Sequence, residues 1–173
     1  MTTIKKLLLF LPLLMLVGCE KNFDPAAWNG VRLAGYYEGQ MVILIDGYNL
    51  VTDQAETSSS LPIGFTVTQD ETLKFSIQYD SYYSYNGDDY VVNMQSTIND
   101  IEVAADATNT DRVILSATSP SASCVITEEV CVISSVTGYI NDAGYLRVEI
   151  SAVTNSGVPP ENEVTIILSA SRS

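Results

Sequence analysis

The chain contains no histidine, and only 8 of its 173 residues are lysine or arginine, against 21 aspartates and glutamates. The missing histidine removes the commonest general base and the commonest transition-metal ligand. Ser-His-Asp and Cys-His arrangements are excluded with it. The shortage of basic side chains gives a formal net charge of −13. A surface that acidic repels phosphate backbones, so nucleic acid is not an expected partner. Long apolar runs are also lacking. The run from Leu7 to Gly18 has 12 residues and contains Pro12, whereas a membrane-spanning helix needs roughly 20.

What the first residues do contain is ordered. Lys5-Lys6 is followed by apolar Leu7 to Val17 and then by Gly18-Cys19. A charged start, a short apolar middle and a small residue before the cut form a secretory signal. The ending Leu16-Val17-Gly18-Cys19 resembles a bacterial lipobox. That resemblance implies lipidation of Cys19 on sulfur, cleavage before it, and a lipoprotein held to a membrane by two or three acyl chains. Loss of residues 1–18 removes Lys5, Lys6 and no acid, leaving six basic residues against 21 acids, a net −15. Acyl chains rather than a basic patch must then provide anchoring, at about 0.8 kcal/mol per buried CH₂. In lipoproteins of the Bacteroidetes group, an acidic run just after the cysteine directs export to the cell surface. Glu20-Lys21-Asn22-Phe23-Asp24 matches that run in part. The expectation is the cell envelope, at the outer membrane, with the periplasmic or surface face open.

Residues 19–31 read as a tether, with a polar start and Pro25. Trp28, the single tryptophan, is expected to plug one end of the domain, with ligand stacking as the lesser alternative. Residues 32–173 read as one β domain. Apolar residues recur with period two rather than 3.6: Leu73, Phe75, Ile77 and Tyr79; Leu146, Val148 and Ile150; Val164, Ile166 and Leu168; Phe65 and Val67. Asp46-Gly47 and Asn86-Gly87 are hairpin signals, because two-residue turns require positive φ. Asn141-Asp142-Ala143-Gly144 and Gln69-Asp70-Glu71 mark further tight connections, and Asp53 to Ser60 reads as a mobile loop. The fold class is all-β: an antiparallel meander barrel of about eight to ten strands, with a β-sandwich as alternative. Whether the barrel is filled or hollow stays open.

Leu33-Ala34-Gly35-Tyr36-Tyr37-Glu38-Gly39 resembles the entry of lipocalin-like (calycin-like) lipoprotein domains. The resemblance implies a glycine-aromatic element opening the first strand, an aromatic plug at the barrel end, and a module that binds a small ligand or a partner.

Chemistry-bearing groups are few. Cys124 and Cys131 flank a short hairpin with Thr127-Glu128 at its turn. Facing Cα atoms there fall within disulfide range, and two separate buried thiols are the alternative. Tyr79 to Tyr90 holds five tyrosines in twelve residues. A turn at Asn86-Gly87 puts Tyr83, Tyr85, Asp88 and Tyr90 on one face. Tyrosine offers a flat ring and a hydroxyl, which suits sugars and protein partners. Cross-strand aromatic pairs also simply stabilise a hairpin. Asp80, Asp88 and Asp89 are a weaker calcium candidate. The only lysines after the signal, Lys21 and Lys74, lack a Ser-x-x-Lys motif. No catalytic residue, resident metal or cofactor is therefore assigned. The leading expectation is a non-enzymatic, lipid-anchored envelope domain that binds a small ligand or glycan. A structural or assembly protein contacting envelope partners comes second, and a small carboxylate-based hydrolase is the remote third.

Overall fold

The computed structural model describes residues 33–70, 72–85, 88–126, 129–154 and 162–173. Every regular element among them is a strand: β1 (Gly35–Ile45), β2 (Tyr48–Asn49), β3 (Leu61–Gln69), β4 (Leu73–Tyr85), β5 (Asp88–Ala105), β6 (Arg112–Thr118), β7 (Ala122–Ile126), β8 (Glu129–Asn141), β9 (Tyr145–Thr154) and β10 (Glu163–Arg172). The sheet runs β1-β3-β4-β5-β6-β8-β9-β10, and β10 pairs back onto β1 from Glu163's neighbour Val164 to Arg172. That pairing closes an eight-stranded antiparallel meander barrel and rules out the sandwich alternative.

Ten strands make eight staves for two local reasons. β2 is a two-residue return after the Asp46-Gly47 turn, whose φ values of 51° and 83° are both positive, as the sequence predicts. β6 and β7 are two halves of one stave: β6 pairs with the far part of β5 and β7 with its middle, and both pair with β8. Ser119-Pro120-Ser121 separates the halves. Proline lacks the N–H that a ladder needs, and Ser119 sits at φ 48°. On β5, Asn99-Asp100 bulges at the same level, with Asp100 at φ 61°. The Asn99 backbone N–H and side-chain amide both donate to the Ser121 carbonyl.

The period-two faces land as expected. Leu73, Phe75, Ile77, Tyr79, Leu146, Val148, Ile150, Val164, Ile166 and Leu168 are all buried, and together with Phe65 and Val67 they join one continuous core. The bulkiest of its members sit near the entry of β1. There Tyr37 stacks on Phe65 at 5.7 Å, and Phe65 meets Phe75 at 5.8 Å. The Tyr37 hydroxyl donates to the Leu33 carbonyl at 2.8 Å. Burial pushes this phenol above its ordinary pKa, against an opposing pull from Arg172. Trp28, expected as the plug, lies outside the described residues; in the described part, the buried aromatic two residues after Gly35 is Tyr37. An eight-stranded barrel is just wide enough for side chains to fill, and these residues do fill it. Two inward hydroxyls, Tyr79 and Ser96, find no hydrogen-bond partner.

The barrel has two unlike ends. The start of β1, the C-terminus, and the β5–β6 and β8–β9 connections gather at one. At the other lie the segment after β1 and the tips of the β4–β5 and β7–β8 hairpins. The segment 46–60, expected to be mobile from Asp53 onward, is instead tied by hydrogen bonds. Buried Asn49 donates to the carbonyls of Glu56 and Ser59 and accepts from the Val51 N–H. Glu56 accepts from Ser58, Thr52 and the Ser59 N–H, which holds its carboxyl down at about 2. The sequence contains the donors, but only the folded loop converges them on one carboxylate.

Candidate functional site

Cys124 and Cys131 form a disulfide. They face each other across β7 and β8, with Cα atoms 4.9 Å apart, and both are buried in the barrel wall. The pairing Val125↔Val130 and Ile126↔Glu129 is the one a turn at Thr127-Glu128 demands, although those two residues lie outside the described part. Burial in the core makes this a structural bridge rather than an exposed redox centre.

The tyrosine hairpin has the predicted register. Tyr83 pairs with Tyr90 and Tyr85 with Asp88. Asn86-Gly87 and the side chains of these four residues lie outside the described part. The backbone adds something the sequence did not show. β3 leaves β4 after Ile77, and β7 leaves β5 at Met94. Residues 80–85 and 88–93 therefore pair only with each other among the described residues. They form a two-stranded ribbon of about 20 Å, taking about 3.3 Å per residue, at the end opposite the start of β1. The calcium candidate does not survive this register. Asp80 pairs with Asn93, five positions from the Tyr85↔Asp88 pair, or about 17 Å along the ribbon. That is too far for Asp80 to share a cation with Asp88 or Asp89. No cluster of three metal-ligating side chains occurs among the described residues.

Cys19 and Trp28 lie outside the described residues. No described helix is long and apolar enough to cross a membrane.

The recesses lie on the outer wall. One, of about 370 Å³, crosses β1, β3, β4 and β5. Register lines its floor in two rows: Tyr36, Thr66, Ser76 and Thr97 face one another in turn, and Gln78 faces Gln95 beside Gly64. None of the residues lining it is charged. Tyr36 is 47% exposed, yet its hydroxyl end lies where a side chain at Gly64 would sit. A second recess, of about 300 Å³, runs between the ribbon base and Val125. A third, of about 490 Å³, sits at the paired bulges and holds Asp70, Lys74, Asn99 and Asp100. The first of these sites is absent from the sequence reading. Polar alternation marks Ser76 and Gln78 as outward, but nothing in one strand's sequence shows which outward residues of four strands become neighbours.

The chain matches no family model, and no curated protein or solved structure is detectably similar to it.

Proposed function

We propose that this chain is a lipid-anchored, non-enzymatic module of the bacterial cell envelope that binds a glycan or small ligand on the outside of its barrel. The observation that carries the reading is the filled interior. Tyr37, Met41, Phe65, Phe75 and Met94 are essentially inaccessible and belong to one packed core. Recognition then falls to the outer wall and the ribbon rather than to a central cavity. The lipobox-like ending at Cys19 and the excess of acids support acyl anchoring at the outer membrane. The absence of histidine supports a binding role over catalysis. The strand β1 begins at the end opposite the ribbon, so a tether entering there would turn the tyrosine ribbon away from the bilayer.

Fractionation tests the anchor. Cys19→Ser is expected to move the protein from the membrane to the soluble fraction with its circular dichroism unchanged. A variant that stays membrane-bound rejects acyl anchoring. Native mass spectrometry of protein purified from its own cells tests the binding role, with a retained small molecule or glycan expected.

A second reading, an assembly subunit, is favoured by one observation. The ribbon's outer backbone edges at 80–85 and 88–93 have no partner strand among the described residues. Such edges accept an added strand. Crosslinking from the ribbon to another envelope protein in whole cells would favour this reading over ligand binding.

A further inference from the structure

We infer that the outer-wall recess of β1, β3, β4 and β5 is a binding site for a neutral saccharide, with Tyr36 as its stacking platform. The inference rests on the binding role proposed above and gives that role a location and a ligand class. Three observations converge. First, the recess is free of charge in a chain of net −13. Its outward polar groups are the amides of Gln78 and Gln95 and the hydroxyls of Thr66, Ser76 and Thr97. Amides and hydroxyls both donate and accept, which matches sugar hydroxyls and gives an anionic group no counter-charge.

Second, Tyr36 is built as a platform. Gly64 has no side chain, and the Tyr36 ring end occupies the vacated space on the wall. A ring laid along a sheet presents a broad apolar face, suited to the C–H face of a sugar. The exposure of 47% leaves that surface available. Third, size and shape fit. A volume of about 370 Å³ lies within the usual range for small-ligand sites, about 300–1,000 Å³. The row from Tyr36 to Thr97 crosses three inter-strand spacings, or about 14 Å, so the site takes an extended oligosaccharide. Glu38, the acid facing Gly64 from β1, stands at its margin. It disfavours anionic sugars by repulsion.

The test uses the full-length protein in detergent on an array of neutral and anionic oligosaccharides, followed by calorimetry with the bound sugars. Neutral glycans are expected to bind. Tyr36→Ala should weaken them at least tenfold, and Tyr36→Phe should stay within about threefold, since the ring remains. Gly64→Ala is the second variant, because its methyl displaces only the end of the Tyr36 side chain and leaves Tyr36 itself present. It should also lose at least tenfold while remaining folded. Undiminished neutral-glycan binding in Tyr36→Ala and Gly64→Ala overturns this site and leaves the broader binding role standing. Binding of anionic glycans alone overturns the ligand class. A blank array overturns the inference, while a different small molecule retained by the native protein would keep the broader reading.

Discussion

The phenol of Tyr36 on β1 lies across Gly64 on β3, two residues along from its own pairing partner Thr66. An aromatic ring thereby covers a strand glycine that would otherwise leave the backbone bare, a device known to restore stability to glycine positions in sheets. Here it also flattens the wall of the recess.

Two glycines on neighbouring strands should therefore respond unequally to the same substitution. A methyl at Gly64 meets only the mobile end of Tyr36. Gly64→Ala should change stability by less than about 1 kcal/mol, since the clash is relieved by one rotamer change. A methyl at Gly39 meets the Ser169 carbonyl and the Ala170 Cα, both backbone atoms of β10. Gly39→Ala should cost about 1–3 kcal/mol or more, as overpacking does. Chemical denaturation of the two variants side by side checks the contrast.

The Cys124–Cys131 bridge closes a short loop, with a sequence separation of seven. Chain-entropy arguments give it about 2.5 kcal/mol. Cys124→Ala with Cys131→Ala should lower the unfolding free energy by that order and leave the barrel folded. Mass measurement after alkylation without reductant should find neither thiol labelled in the native protein.

Acid should loosen the segment after β1 before it loosens the barrel. The Glu56 carboxyl is held at about 2 by Ser58 and Thr52. A depressed folded pKa contributes stability above the unfolded carboxylate range, near 4, and that contribution is lost as pH falls toward 2. Amide hydrogen exchange of residues 49–59 should therefore accelerate between about pH 4 and pH 2. Glu56→Gln should show the faster exchange already at neutral pH, with no acid dependence of its own.

At the alkaline extreme the sign reverses. Burial raises the Tyr37 phenol, so its contribution is complete below the unfolded value of about 10 and is lost as pH rises through the folded one. Tyr37→Phe should remove this alkaline loss. It should also cost about 1 kcal/mol at neutral pH, through loss of the hydrogen bond to Leu33. Urea titrations at neutral and alkaline pH measure both effects.

The unpartnered Ser96 hydroxyl is buried at 1% exposure. Removing such a group relieves desolvation, so Ser96→Ala should be neutral or stabilising by up to about 1 kcal/mol. A clear destabilisation would mean that an internal water or ligand holds that hydroxyl.

Much of the wall was legible in the sequence because each strand carries its own record of inside and outside. Leu73, Phe75, Ile77 and Tyr79 alternate with Lys74, Ser76 and Gln78, and the fold buries the first set. Asp46-Gly47 names its own turn, since two positive φ values suit these residues. The separation of seven from Cys124 to Cys131 implies a facing pair, and the register supplies it. Local patterns of this kind depend on neighbours in sequence. The lipobox-like ending at Cys19, from which acyl anchoring is proposed, lies outside the described residues.

Closure, filling and the recess depended instead on residues far apart in the chain. β10 meets β1 across more than a hundred residues, and that pairing alone separates a barrel from a sandwich. Whether the interior is hollow depends on how side chains from all eight staves share one volume, which no single alternation specifies. Tyr36, Thr66, Ser76 and Thr97 are each an ordinary outward residue of a different strand. Inter-strand register makes them one row, and a missing side chain at Gly64 makes room for the ring. Which way a strand residue faces follows from its local pattern, because the pleat repeats every two residues. The tertiary structure decided which of those residues meet, because register is set between strands and not within them.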